Sequence, residues 1–388
     1  MSEYDAVVVG ARCAGSATAM LLARAGMRVL LLDRTHPGHD TLSTHALMRA
    51  GVVQLDRWGV LPRILAAGTP PVTATTFHYA DRAETVALRE PLYAPRRPVL
   101  DTALLAAALE AGVEARFGAD VTELERDRSG RVTGVRFRVR GPHGGEHRAG
   151  AALTVGADGM RSGVARAVAA PTTWQGSAAS ACVYGYWPAA AASAYEWFYR
   201  PGAAAGIIPT NDGQVCVWAG LPAAAFAAER DAGLGGLFAA VLARMPEMHA
   251  VRAAAGIGGD RVGRLRGFPG QPAFLRRPHG PGWALVGDAG YFKDPLTAHG
   301  ITDALRDAEL LARAALDGNR AAFARYEAER DALARPLVEV AERIAAYDWD
   351  LSDVGDLLRT ESAAMRPEVA VVRSFDDDEA TGTTRRAA

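Results

Sequence analysis

The 388 residues carry 43 basic and 44 acidic side chains for a formal net charge of −1, and 49% are hydrophobic, which allows two or three domains and offers no charge excess for nucleic acid or an anionic membrane. Three cysteines, Cys13, Cys182 and Cys216, lack any C-x-x-C spacing, so neither a disulfide framework nor a zinc site is expected, and no metal. No apolar run reaches the length of a membrane span, and no basic region precedes the first apolar stretch, so a protein of the reducing cytoplasm is expected.

Residues 5–9 (DAVVV) read as a buried strand, 14–26 as a helix of small and apolar residues ending at Gly26, and 28–34 (RVLLLDR) as a second strand. The turn inside this βαβ unit is GARCAG. Gly10 and Gly15 hold the outer positions of a dinucleotide fingerprint, but Arg12 stands where a glycine would let a pyrophosphate approach the backbone. Asp33 follows about twenty residues beyond, where an acid grips ribose hydroxyls and favours FAD or NAD over NADP.

From 71 to 96 the pattern changes to short β-prone pieces closed by the Pro-rich PLYAPRRPVL. A helix returns at 101–112, then an alternating strand at 131–140, then a buried strand running into GADGMRS at 156–162. Between 166 and 274 the pieces ACVYGYW, YEWFYR and QVCVWAGL alternate with turns, as in an antiparallel sheet inserted into the first domain. Its tryptophans, Trp174, Trp187, Trp197 and Trp218, suit sheet packing or an aromatic-lined pocket for a planar substrate. GWALVGDAG is a third buried strand with its loop, and an amphipathic helix follows from Gly300. A further helix is expected to break at Pro336, and the acidic tail 374–388 to be disordered. GIGGDRVG at 256–263 has no apolar strand before it, so a second nucleotide domain is not expected.

Three loops, GARCAG at 10–15, GADGMRS at 156–162 and GDAGYFKDP at 287–295, each follow an apolar strand. Singly, each of the latter two reads as an ordinary turn; together they can share the carboxyl edge of one sheet, where ligands of open α/β folds bind. The set, over roughly residues 4 to 340, resembles the FAD-dependent monooxygenases and oxidoreductases of the p-hydroxybenzoate hydroxylase fold, with geranylgeranyl reductase-like relatives. The resemblance implies an α/β fold: a Rossmann-like FAD-binding domain from 1–70, 97–165 and 275–345, an inserted, mostly antiparallel β substrate domain from 71–96 and 166–274, and C-terminal helices.

The resemblance also assigns roles. Gly10, Arg12, Cys13, Ala14 and Gly15 would surround the FAD pyrophosphate, with Asp33 and Arg34 at the adenosine ribose. Arg49 would reach the phosphates, Arg97 would lie beside the flavin, and Asp158 would take part in cofactor binding. Gly287 and Asp288 would hold the ribityl chain, with Pro295 and Gly300 shaping the turn against the ring. His299, Lys293 and His45 are the catalytic candidates. Lys293, the one lysine in the chain, is either a positive charge at the flavin edge or a surface partner of Asp294; His299 is either a flavin-edge proton donor or a loop histidine. Cys13 reads best as a small packing residue.

The implied activity is a single-component monooxygenase: NADH or NADPH reduces FAD, molecular oxygen adds to give a flavin hydroperoxide, and an aromatic or polyketide-like small molecule is hydroxylated. A reductase or dehydrogenase of the geranylgeranyl reductase type and a non-catalytic flavin-binding protein are the alternatives. A halogenase is disfavoured because no W-x-W-x-I-P stretch is present.

Overall fold

The computed structural model describes residues 3–80, 82–141 and 144–380. It opens with β1 (Tyr4–Val9), α1 (Cys13–Arg24) and β2 (Val29–Asp33), the two strands pairing in parallel with Val7 opposite Leu30. Helices α2 (Arg49–Arg57) and α3 (Leu61–Ala66) lead out to the hairpin β3 (Val72–Tyr79) and β4 (Arg82–Leu92). The chain returns through α4 (Arg97–Glu110), β5 (Glu114–Phe117), β6 (Ala119–Arg126), β7 (Val132–Val139), β8 (Gly145–Gly156) and α5 (Gly163–Ala167). After β9 (Thr172–Gln175) come β10 (Ser180–Pro188), β11 (Ala194–Arg200), β12 (Ala203–Thr210) and β13 (Gln214–Pro222), then α6 (Ala223–Ala228), α7 (Gly233–Ala243), α8 (Glu247–Ala254) and β14 (Val262–Phe268). The last part comprises β15 (Phe274–Arg276), β16 (His279–Gly280), β17 (Trp283–Leu285), β18 (Tyr291–Phe292), α9 (Gly300–Asp317), α10 (Arg320–Ala345) and α11 (Leu351–Ala380).

Two large sheets organise the molecule. The first has eight strands with the path β16-β17-β8-β1-β2-β5, the neighbours from β17 to β5 running parallel. Because helices cover one face and the β6–β7 ribbon and α5 the other, its central strands are apolar on both sides, as a parallel sheet requires. The second has seven strands in the order β14-β10-β13-β12-β11-β3-β4, so the early hairpin joins the later strands through the parallel pair β3–β11.

In the central strands β10, β12 and β13 of this second sheet both faces are buried, yet alternation still sorts the residues. Cys182, Tyr184, Tyr186, Cys216, Trp218 and Trp197 face the first domain, while Val183, Trp187, Val217, Ala219 and Phe198 face outward under α7 and α8. The tryptophans therefore divide: Trp187 stacks on Phe238 outside, and Trp197 and Trp218 lie on the inner face.

Three local expectations are corrected. Helices α7 and α8 stand where mostly β structure was expected, because the Ala- and Gly-rich GLGGLFAAVLA has no alternation to separate it from strand. Pro336 does not break α10: the buried Leu333, Ala334, Leu337, Val338 and Ala341 flank it on both sides and outweigh a local cost of about 3 kcal/mol. The expected disorder from residue 374 is overturned as far as Ala380, because α11 continues there and Phe375, buried at 7% exposure, holds the Arg313 guanidinium over its ring. Residues 381–388 lie outside the described residues. Among the described residues no helix is long and apolar enough to cross a membrane.

Candidate functional site

The loops after β1, β8 and β17 meet where α1 and α9 begin. Gly10 has φ +107, and a Cβ on it would stand 2.4 Å from the Ala157 carbonyl oxygen; a Cβ on Gly15 would stand 1.7 Å from the Gly10 carbonyl oxygen. Conformation demands the first glycine and close helix–strand packing the second. Arg12 makes no such demand. Its backbone is extended at φ −92 and ψ −166, and its guanidinium turns away to the Thr41 hydroxyl. No side chain caps α1, so the first-turn N–H groups of Cys13, Ala14 and Gly15 stay open at the positive end of the helix.

Asp33 accepts the Ala11 N–H at 2.7 Å and both donors of Thr35, which ties the end of β2 to the glycine loop. The carboxylate borders a cleft lined by Ala11, Arg12, Thr35, Pro37, Thr102 and Leu105. Arg34 is exposed and outside that lining.

At the other end of the groove, Arg97 begins α4 and is 8% exposed. It donates to Asp101 Oδ1 at 2.9 Å and Oδ2 at 3.1 Å, and approaches Cys13 Sγ at 3.6 Å. Gly287 has φ +54, and a Cβ there would crowd the Ala14 and Ala304 methyls at 3.1 and 3.2 Å, so α1, α9 and this loop pack closely with only alanine methyls between them. Asp288 is half-buried, and burial pushes its carboxyl up to about 6 against the pull of Arg97. Among the described residues no hydrogen bond reaches this carboxylate.

The other candidates are placed less uniformly. The Asp158 carboxylate accepts from Ser162 Oγ at 2.5 Å, Gly163 N at 2.6 Å and Val164 N at 3.2 Å, which makes it a cap for α5 beside the groove. Arg49 is engaged elsewhere. It donates to the Pro91 carbonyl at 3.1 Å and pairs with Glu90 at 3.2 Å, on an outer depression shared with Arg373. Pro295 opens a short helical turn and Ala298 closes it at φ +51, after which Gly300, exposed, starts α9; the side chain of His299, its N-cap residue, does not cap it.

Lys293 and His299 both point inward. Lys293 pairs with Asp303, not with Asp294, and both side chains are buried, at 1% and 5% exposure. His299 Nδ1 lies 3.1 Å from Asp303 Oδ1 and its Nε2 3.0 Å from Glu368 Oε2. Burial alone would push the imidazole down, but Glu368 and Asp303 outweigh it and hold it above the ordinary histidine value. Asp294 instead accepts from Leu296 N and Ser180 N, and burial pushes it up to about 7.

His45 belongs to a third cluster. It is 1% exposed at φ +74, and its Nε2 lies 2.6 Å from the Tyr186 hydroxyl on the inner face of the second sheet. Burial, with Arg96, Arg97 and Arg266 nearby, holds the imidazole well below its ordinary value, hence neutral. Its Nδ1 is buried without a hydrogen-bond partner. Arg96 stacks 3.7 Å from the centre of the Tyr186 ring and shares Asp40 with Arg266, at 2.7 and 3.2 Å. Sequence reading singled out Arg97 but passed over Arg96 beside it, along with Asp40, Tyr186 and the α11 carboxylates Glu361 and Glu368.

Taken together, the two uncapped helix ends, the acid without a donor and the close-packed glycines fit a dinucleotide with a polyol chain. The family described as FAD binding domain matches residues 3–235. The chain belongs to this family. A digeranylgeranylglycerophospholipid reductase of Methanopyrus kandleri is 32% identical over 166 residues, covering 41% of this chain and 38% of that protein. Aklavinone 12-hydroxylase of Streptomyces purpurascens is 32% identical over 181 residues, covering 41% of this chain and 34% of that protein, so the chain spans little more than a third of the length of either relative. Among solved structures, PqsL of Pseudomonas aeruginosa in complex with 2-aminobenzoylacetate superposes with a TM-score of 0.76 over 92% of this chain and 99% of that one, at 20% identity. A triple mutant of a flavin-dependent brominase does so with a TM-score of 0.79 over 98% and 100%, at 18% identity. At these identities the likeness is one of fold, and it includes halogenases as well as monooxygenases.

Proposed function

We propose that the protein is an NADH- or NADPH-dependent FAD monooxygenase that hydroxylates an aromatic or polyketide-like small molecule. One observation carries the reading: His45 contacts Tyr186 on a buried aromatic sheet face, and Arg96, next in the chain to Arg97 of the cofactor groove, stacks on the same Tyr186 ring. A planar substrate suits that face, and its burial excludes the water that would divert activated oxygen.

The residues divide the work. The N–H groups of α1 would hold the pyrophosphate, the Asp288 carboxylate would accept from ribityl hydroxyls, and the N-terminal turn of α9 would face the electron-rich ring. Arg97 contributes fixed positive charge, oriented by Asp101. Bound FAD supplies the redox chemistry with oxygen. With the Tyr186 hydroxyl donating to Nε2, neutral His45 carries its proton on Nδ1, where it donates to a substrate oxygen.

A second reading, reduction of a prenyl substrate, rests on the match to the methanogen reductase. The experiment that separates them supplies the purified holoprotein with NADPH or NADH and either aklavinone or a geranylgeranyl lipid under oxygen-18 gas. One labelled oxygen in an aromatic product supports the hydroxylase; saturation of prenyl double bonds without oxygen uptake overturns it in favour of the reductase.

A further inference from the structure

Four buried groups form a closed ring of charge behind the turn that starts α9. His299 contacts Asp303 at 3.1 Å and Glu368 at 3.0 Å, and Arg306 contacts the same two carboxylates at 2.9 and 3.1 Å. Each cation thus touches both anions, and all four side chains are at most 5% exposed. Lys293 adds a third cation on Asp303, and Asp307 a third anion on Arg306 at 2.8 Å. With His299 protonated the charges balance, three against three.

The trio His299, Asp303 and Glu368 presents ligand atoms within 4.8 Å of one another, a spacing that could hold a metal ion. Lys293 and Arg306 already neutralise those carboxylates, so a divalent cation would add charge to a balanced site. A structural ion cluster also has a poor claim to being there for stability alone, because buried pairs seldom stabilise a fold more than apolar packing of equal volume.

Placement gives the cluster another use. Three corners of the ring belong to α9 and its N-cap residue, whereas Glu368 comes from α11, 62 residues beyond Arg306. The His299 ring points into the cluster, and on either side of it Ala298, left-handed at φ +51, and the exposed Gly300 form the turn. Glu368 is thus the one corner of the ring supplied from outside α9 and its N-cap residue, and it meets His299 Nε2 as an ion pair at 3.0 Å.

We propose that Glu368 is a positioning residue for the cofactor: through His299 it fixes residues 298–300 and so aims the open N-terminal N–H groups of α9 at the flavin, which makes α11 part of the FAD site. This rests on the FAD assignment above, and the test separates the two. FAD affinity is measured by flavin fluorescence quenching, and the visible circular dichroism of bound flavin is recorded, for the full chain, for Glu368→Gln and for Asp307→Asn. The last removes a carboxylate of equal burial from the same cluster without touching His299. Glu368→Gln is expected to weaken FAD binding about tenfold, on the scale of a lost charge-assisted contact, and to change the flavin dichroism. Asp307→Asn is expected to lower the melting temperature and leave both flavin readouts alone. Unchanged affinity and dichroism in Glu368→Gln, or the same loss in Asp307→Asn, overturns the proposal. Should Glu368→Gln fail to fold, Glu368→Asp, which keeps the charge and shortens its reach, is expected to weaken FAD binding; unaltered affinity there overturns it equally. A full chain that binds no FAD would instead defeat the FAD assignment itself.

Discussion

His45 and Tyr186 are 141 residues apart in sequence and 2.6 Å apart at Nε2 and the hydroxyl oxygen, which joins the loop before α2 to the second sheet. Removing the hydroxyl in Tyr186→Phe leaves a buried imidazole with neither nitrogen bonded, since Nδ1 already lacks a partner. The expected cost is about 1–3 kcal/mol, read as a lower denaturant midpoint. FAD content should stay unchanged, because no part of the pair belongs to the cofactor groove. An unshifted midpoint would mean that the two groups do not bond.

Asp288 should give the opposite pattern, loss of cofactor with little loss of fold. Asp288→Ala is expected to weaken FAD binding by about 1.5–3 kcal/mol, the range for hydrogen bonds to a charged group. Its pH dependence follows from the carboxyl standing at about 6 before ligand binds. Hydroxyl donors favour the ionised form, so protons compete with FAD, and affinity should fall as pH drops below that value. Titration by fluorescence quenching tests this: a wild-type affinity that stays flat through about pH 5 would remove Asp288 from the ribityl contact.

The reading of Arg12 can be tested by restoring the fingerprint glycine. Because its backbone is extended and its side chain is committed to Thr41, Arg12→Gly should keep FAD affinity within about threefold and cost roughly 0.5–1 kcal/mol of stability from added chain freedom. Loss of FAD in this variant would show the guanidinium acting on the phosphates.

The order in which the site became legible has a physical cause. Gly10, Gly15 and Gly287 are visible in the sequence because a backbone with no room for a Cβ leaves one residue type, and Asp33 because its bond to Ala11 spans only the βαβ unit. The strands of the second sheet were legible, but which side chains face inward was not, because the central strands are buried on both faces. Lys293 and His299 stood out as residue types, but their orientation did not, because the carboxylates that turn them inward lie on helical faces at Asp303 and Glu368. Helix α11 was missed although Val354, Leu357, Leu358, Glu361, Glu368 and Val372, all buried, recur at helical spacing; the charged residues among them masked the stripe. The partners of Arg49 and Asp158 were not legible, because they are set by tertiary neighbours: Glu90 and Pro91 in one case, the N-terminus of α5 in the other.

Glu361 gives a stability test with a definite sign. It lies on α11 with Oε1 buried and unbonded, and burial raises its carboxyl from 4.5 to about 8 despite the opposing Lys293 and His299. Below the lower value both folded and unfolded chains hold the proton; between the two the unfolded chain releases it while the folded chain keeps it, so stability falls as pH rises from 4.5 to about 8 and then levels off. Glu361→Gln has nearly the same shape and no proton to lose. It should match the wild type in melting temperature near about pH 5 and exceed it near about pH 9, a gain of a few kcal/mol at most. Differencing the two proteins cancels the other buried acids, Asp288 and Asp294, whose carboxyls are also raised. A difference that stays constant across the window would mean that Glu361 is already ionised beneath α11, and the balance of charge in that cluster would have to be redrawn.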